Sequence, residues 1–267
     1  MSLHLIDDCN VSLWAERIKE LEASAEYPIG EDMFRIDHGS DYFAFFRRLG
    51  RLRYYAWLEG DRLAAVGAAV LRKISETKVR AWYLSDLKVH PDFRGQGLPL
   101  KIVGRAFLGN YLRCSRAYAI SMNTPGQDFN RIERLISRFR WARSSEACKL
   151  QIWSLDFDTM HSVAPTIELY RGPLSYLSLL GIKDLILRST GAPLPLLHVQ
   201  FGPAAARVSG GLLSEAQAGF SHMFCSPAGD PLDLALQSLG LQATASATVI
   251  THRMANSDWS WVLTSDI

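Results

Sequence analysis

The residues best placed to do chemistry form one run: Asp86-Leu87-Lys88-Val89-His90-Pro91-Asp92-Phe93-Arg94-Gly95-Gln96-Gly97-Leu98-Pro99-Leu100. Gly95 and Gly97 permit a positive φ and let a bulky group come close to the main chain. An apolar segment, Trp82–Val89, leads in with aromatic and branched residues and no glycine or proline, which reads as a strand. A helix is predicted to open at Leu98 or Pro99. Its first N–H groups and positive dipole end would point at the glycines. Strand, glycine loop and helix N-terminus make a holder for phosphate. The triphosphate motif GxxxxGK[ST] does not fit, because no Lys-Ser or Lys-Thr follows the glycines. The dinucleotide motif GxGxxG does not fit either, because Leu100 stands at its last position.

A third pattern fits better. Val89 to Gly97 resembles the acyl-CoA signature of the GNAT superfamily of N-acetyltransferases, whose core is (Q/R)xxGx(G/A). Arg94 matches its first position and Gly97 its fourth. Pro99 departs at the sixth and brings no N–H, so one pyrophosphate contact is either missing or supplied by the N–H of Leu100. The second family pattern, NxxAxxLYxxxGF, is matched only by Asn130. Arg140-Trp141 stands near the Gly-Phe position, and the tyrosine slot falls on Ile136 or Ser137. The resemblance covers roughly residues 1–160.

The resemblance implies acyl transfer from acetyl-CoA or another acyl-CoA to an amine. That reaction needs a neutral amine, a stabilised oxyanion and a tolerable leaving group. A main-chain N–H among Leu87, Lys88 and Val89 is the oxyanion donor the resemblance implies. Further acyl-CoA contacts are expected at Arg94, Gly95, Gln96, Gly97, Leu98, Pro99, Leu100, Asn123 and Asn130. Asp86 is the candidate proton acceptor, acting through water, and Ser137 a candidate relay. The CoA thiol, with a pKa near cysteine's value of roughly 8.5, leaves without a strong acid. His90, in the turn before Pro91, reads as structural. Neither the histidines nor the cysteines have metal-ligand spacing, so no metal is expected.

The elements that must position these residues follow from periodicity. Val11–Ala25 reads as an amphipathic helix through Leu13, Trp14, Ile18 and Leu21, capped by Ser12 and ended by Pro28-Ile29-Gly30. Asp41–Leu49 reads as a short helix packed by its aromatics, with Arg47, Arg48, Arg51 and Arg53 on a solvated face. Arg53–Leu58 and Leu63–Arg72 form a hairpin around Glu59–Arg62. Alanines and Gly67 make its second strand small-sided, open to close approach by a ligand. After a turn at Ser75–Lys78 comes the strand Trp82–Val89. The helix beyond it carries the stripe Leu100, Val103, Phe107 and Tyr111. Tyr118–Met122 is the parallel partner strand, joined by a right-handed crossover. The resemblance implies that these two strands splay apart around the pantetheine arm of CoA. Asn130–Arg140 reads as a helix with a basic face of Arg131, Arg134 and Arg138, and Ala147–Leu155 as a strand.

Beyond residue 160 the patterns weaken. Pro173–Arg188 is predicted helical, Leu196–Phe201 and Phe220–Phe224 strands, Pro231–Leu239 a helix closed by Gly240, and Thr244–His252 and Trp259–Leu263 strands. The expected class is α/β (α+β): a mixed, mostly antiparallel twisted sheet with a splayed parallel pair and flanking helices, plus a C-terminal α/β part. Residues 1–160 hold 24 basic and 20 acidic residues and residues 161–267 hold 5 and 7, which with Pro165 marks a boundary near residue 160. The C-terminal part is expected to be an unrelated appendage or a degenerate second GNAT-like half lacking the glycine loop.

A hydrophobic fraction of 48% with 21% charged residues is that of a globular chain with a substantial core. A net charge of +2 argues against a dedicated nucleic-acid binder. No apolar run reaches spanning length, no basic-then-apolar leader opens the chain, and the four cysteines are scattered, so a cytoplasmic protein with reduced thiols is expected. The function expected is an N-acyltransferase acting directly in a ternary complex. Two alternatives stand beside it: an N-acyl amino acid synthase using long-chain acyl-CoA or acyl carrier protein, and a non-catalytic acyl-CoA-binding module.

Overall fold

A computed structural model describes residues 2–6, 10, 13–29, 31–74, 79–123, 144–205 and 212–267. Eleven strands form one mixed sheet and three more a small second sheet. The first part of the chain supplies β1 (Ser2–Ile6), β4 (Arg51–Glu59), β5 (Arg62–Ile74), β6 (Val79–Val89) and β7 (Ala117–Met122) to the large sheet. The strands β4, β5 and β6 run antiparallel in succession, as the hairpin signals require. Helix α1 (Ala15–Ala23) and helix α2 (Ala44–Leu49) bury Ile18, Leu21, Phe45 and Phe46 against one face of this sheet. Helix α3 (Leu98–Tyr111) crosses the other face between β6 and β7.

The sheet continues through strands far apart in sequence. Strand β14 (Ala245–His252) lies between β7 and β8 (Ser144–Leu155), antiparallel to both. Beyond β8 come β13 (Ser221–Pro227), β11 (Leu196–Phe201), β9 (Leu174–Leu177) and β12 (Leu212–Leu213). The pair β11–β13 is parallel over three residues, from Leu196↔Ser221 to His198↔Met223. An antiparallel strand, a short parallel pair and a strand from the other part of the chain therefore occur twice. First they are β5, β6–β7 and β14; then β9, β11–β13 and β8. Helices α4 (Phe157–Arg171) and α5 (Pro231–Ser238) cover the second set, burying Met160, Val163, Ile167, Leu232 and Leu236. The small sheet joins β2 (Tyr27–Ile29), β3 (Asp32–Asp37) and β10 (Asp184–Leu187).

Several expectations need correction. Pro28 and Ile29 lie in strand β2, paired with Asp32 and Met33 of β3. Pro173–Arg188 is no helix: Gly181 takes φ 75°, Ile182 and Lys183 both donate to Leu179 O at 2.9 Å, and strands β9 and β10 flank the turn. The leucines there satisfy two sheets instead of one helix stripe. The helix lies earlier, where Asp156 caps Thr159 N at 2.8 Å and Pro165 sits inside α4. Trp259–Leu263 is a buried turn followed by a 3-10 helix at Thr264–Asp266. Among the described side chains of α3, Leu98, Ile102 and Asn110 are buried, while Leu100, Val103 and Tyr111 are half-buried. Leu13 is exposed. Arg47, Arg48 and Arg51 are exposed, with Arg47 pairing with Asp41 and Arg48 with Asp266, whereas Arg53 is half-buried and donates to Asn110 Oδ1 at 2.9 Å. Ser12, Ser75–Lys78 and the segment expected as a helix at Asn130–Arg140 lie outside the described residues.

Candidate active site

Strands β6 and β7 pair in parallel only at Trp82↔Ala117, Tyr83↔Tyr118 and Leu84↔Ala119. Past Leu84 they part. On the other edge of β6, the register with β5 shifts between Val66↔Lys88 and Ala68↔Ser85, so Asp86 and Leu87 bulge out of the ladder. Asp86 takes φ 54°, one of two non-glycine residues described with positive φ. Gly67 sits opposite the bulge, where an added Cβ would just touch Leu87 Cδ1 at 3.4 Å. The small-sided character of β5 thus makes room for the irregularity.

A buried polar cluster holds the bulge. Asp86 Oδ2 accepts from Tyr42 OH at 2.8 Å and Tyr54 OH at 2.5 Å, and Oδ1 pairs with Lys88 Nζ. Lys88 Nζ also donates to Glu22 Oε1 at 2.6 Å and to Tyr42 OH at 3.2 Å. Burial alone would raise the Asp86 carboxyl, but Lys88 and the hydrogen bonds outweigh it and hold the group below the usual carboxylate range. Both tyrosines are pushed well up by burial and by the Asp86 charge, so they remain donors. Burial, reinforced by Asp86, pushes the Glu22 carboxyl up to about 7 against the pull of Lys88. His38 lies 3.6 Å from Glu22 Oε1 and, since its Nδ1 donates to Ile182 O at 3.3 Å, turns an unprotonated Nε2 toward that carboxyl. Burial lowers its pKa to about 4. Glu22, His38 and Asp86 come close enough to suggest a metal, but the Lys88 ammonium bridges the two carboxylates and supplies the cation.

The glycine loop takes the form its sequence requires. Gly95 and Gly97 have φ of 82° and 68°, and a Cβ built on either meets nothing within 4 Å. Gly97 is the N-cap of α3, and Pro99 lies in its first turn. Arg94 is exposed beside the loop. His90 Nδ1 accepts from Asp92 N at 3.2 Å and shapes the 3-10 turn before it.

A mostly apolar cavity of about 400 Å³ runs through the opening between β6 and β7. It reaches from α3 (Val103, Tyr111) past Ser85 and Leu87 to Phe45, Lys183 and His198 on the far side of the sheet. Of the sequence-derived candidates, Asp86, Leu87, Lys88 and Val89 gather at the bulge and Arg94 to Leu100 at the helix start. Lys88 contributes its side chain to the buried cluster as well as its main chain. Asn123 is tied to β14, donating to Ser246 Oγ and accepting from Thr248 Oγ1, each at 2.9 Å. Asn130 and Ser137 lie outside the described residues. Sequence reasoning missed Glu22, His38, Tyr42, Tyr54 and Lys183. The one available signal was a glutamate directly beside the apolar stripe of α1.

Comparison with known proteins agrees with this geometry. The sequence model of the acetyltransferase (GNAT) family matches residues 15–129. An uncharacterised protein of Acanthamoeba polyphaga mimivirus is 24% identical over 244 residues, covering 85% of this chain and 68% of that one. A tandem GNAT protein from the clavulanic acid biosynthesis pathway superposes with a TM-score of 0.51 at 12% identity, over 96% of this chain and 100% of that one. A GCN5-related N-acetyltransferase from Anabaena variabilis gives 0.46 at 9% identity, over 94% and 72% of the two chains. The tandem protein shares the fold across both parts of the chain.

Proposed function

From the match of residues 15–129 to the acetyltransferase (GNAT) family model, we propose that this protein is an N-acyltransferase. It moves an acetyl or other acyl group from acyl-CoA to a primary amine by direct transfer in a ternary complex. The observation that carries the reading is the parting of β6 and β7 beside a glycine loop, with one cavity running through the opening. In this reading the main-chain N–H groups of Gly95 to Leu98 and of Leu100 hold the diphosphate, with Arg94 beside them. The pantetheine arm enters the gap and sets the thioester carbonyl against main-chain N–H groups of Leu87 to Val89. The neutral amine attacks, its nitrogen bonding the carbonyl carbon. The C–S bond then breaks and CoA leaves as thiolate.

Asp86 has both oxygens engaged, so the role we assign it is holding the bulge. The nitrogen's proton passes toward the Glu22–His38 side of the cluster, where a carboxyl titrating at about 7 exchanges protons near neutrality. We further propose that the chain divides near residue 160 into two halves, the second a degenerate copy. Between β11 and β13 the described residues hold no α-helix and no glycine loop like that of Gly95–Gly97. The apolar character of the cavity favours a second reading, in which the donor carries a long acyl chain on CoA or acyl carrier protein.

Calorimetry with CoA and acetyl-CoA, followed by thiol release over an amine panel, tests the assignment. Micromolar binding and turnover are expected. No heat with either nucleotide would sink it. Turnover confined to long acyl donors would select the second reading, and binding with no turnover would leave an acyl-CoA-binding module.

A further inference from the structure

Lys183 is a cation placed where an apolar residue would be expected. It follows the turn Leu179–Ile182 at the start of β10 and lines the cavity on the far side of the sheet from α3. Its Nζ lies 4.3 Å from the ring centroid of Phe45. The adjacent acid is not its counter-ion, since Asp184 is turned back to accept from Gly181 N at 3.1 and 3.0 Å. Among the described side chains of the cavity wall the carboxylate is that of Asp86, already held by Lys88, Tyr42 and Tyr54. Among the described residues no carboxylate lies within ion-pairing distance of Lys183, and no hydrogen bond of its Nζ is present.

An ammonium in an apolar enclosure without an anion is unfavourable, and the attraction of one aromatic ring offsets only a small part of that. Burial first, then the charges of Arg48 on α2 and Lys88 on β6, push the Lys183 pKa down to about 7; Glu22 on α1 and Asp86 on β6 pull the other way. His38 and His198, the other titratable groups facing it, are neutral imidazoles and supply no negative charge. Nearer the opening, Ser85 Oγ in the same wall is buried with no hydrogen-bond partner. The cavity therefore offers a donor midway and a cation at its end, and among the described residues no side-chain carboxylate free to meet either.

Resting on the transferase reading, we infer that Lys183 is the anion-binding group of the substrate cavity and that a substrate carboxylate pairs with it. The carboxylate belongs either to an acceptor of amino-acid type or to a dicarboxylic acyl donor presenting its distal end. In the first case the cavity aligns the amine toward the opening while the carboxylate is held beyond the sheet. Pairing favours the charged ammonium, so at pH 8 binding takes up a proton.

Calorimetry on the full chain first establishes binding of CoA; absence of that heat speaks against the transferase reading itself. The CoA-loaded protein is then titrated with leucine, phenylalanine and glutamine, each beside its carboxamide, in two buffers of different ionisation heat. A parallel arm compares succinyl-CoA with acetyl-CoA on the free protein. At least tenfold tighter binding of the carboxylate member, with proton uptake at pH 8, is expected in one arm, and that arm identifies the source. In Lys183→Met, or in Lys183→Gln should the first variant fold poorly, the carboxylate-to-neutral ratio should fall to near one and the proton uptake vanish. CoA binding without a carboxylate preference in either arm overturns the inference while leaving the transferase reading intact. A preference that survives both variants overturns it equally.

Discussion

Asp86 combines a left-handed backbone with a buried charge, each unfavourable alone. The conformation costs about 1–2 kcal/mol for a residue bearing a Cβ. Its persistence is explained by Tyr42, Tyr54 and Lys88, which bind both carboxylate oxygens. Asp86→Asn keeps a side chain that tolerates this backbone and removes only the charge. The expected loss is about 3–5 kcal/mol, read from urea midpoints at pH 7, because the Lys88 ammonium loses one of its two carboxylate partners. The wild-type contribution of Asp86 is present above the ordinary carboxylate pKa and lost as pH falls through its lowered folded value. Glu22 has the opposite sign. Its carboxyl, raised to about 7, stabilises the fold most below its ordinary value of 4.5 and loses that contribution as pH rises through 7. Urea titrations should therefore show wild type losing about 1–3 kcal/mol relative to Glu22→Gln between pH 4 and pH 8. If Glu22 takes the proton, the same variant should lower kcat about tenfold or more and abolish the rising limb near pH 7. Sequence alone pointed to Asp86 but not to its partners. Glu22, Tyr42 and Tyr54 lie 64, 44 and 32 positions away along the chain, and no local spacing announces a cluster assembled across α1, the start of α2 and β4.

The glycine loop with α3 is the element that sequence describes most fully, because its conformation is dictated locally. Gly95 and Gly97 need positive φ, and the helix begins at Leu98 as predicted. Pro99 gives this helix start one N–H fewer than the family pattern offers. Pro99→Ala restores that donor and should tighten CoA binding about tenfold or more by calorimetry, since one hydrogen bond to a charged group is worth about 1.5–3 kcal/mol. Loss of affinity would show that the proline's fixed φ, not the missing donor, governs this turn. Strands with a consistent pattern were equally legible: Leu196–Phe201 is found as predicted, and Thr244–His252 within one residue. Pro173–Arg188 was not, since leucines at helical spacing are also what two short strands on different sheets present when a glycine turn separates them. Trp259–Leu263 has strand composition, yet Trp259 and Trp261 pack on Tyr118 without pairing in a ladder. Tertiary burial, not local propensity, decides such segments.

At the scale of the molecule, the two parts of the chain exchange strands. Strand β14 belongs by sequence to the second part but fills the place between β7 and β8, opposite six residues of the one and eight of the other. Strand β8 comes from the first part and carries β13 on its other edge. Composition marked a change near residue 160, but no charge or proline signal can reveal that the chain returns 90 residues later to complete the first sheet. The C-terminal residues add a second tie, for Asp266 accepts from Arg72 of β5 at 2.6 Å and pairs with Arg48 of α2. Residues 2–156 produced alone would present the facing edges of β7 and β8 unpaired, a template for aggregation. The isolated fragment is therefore expected to be insoluble or to bind hydrophobic dye, and co-production with residues 157–267 should return a soluble complex that binds CoA. The intact chain should unfold in urea as one transition, with tryptophan fluorescence and far-UV dichroism superimposing, because neither set of strands closes without the other. A soluble, CoA-binding fragment 2–156 would show instead that the first set is complete without β14. The exchange would then be an embellishment of two independent domains rather than the reason the sheet is continuous.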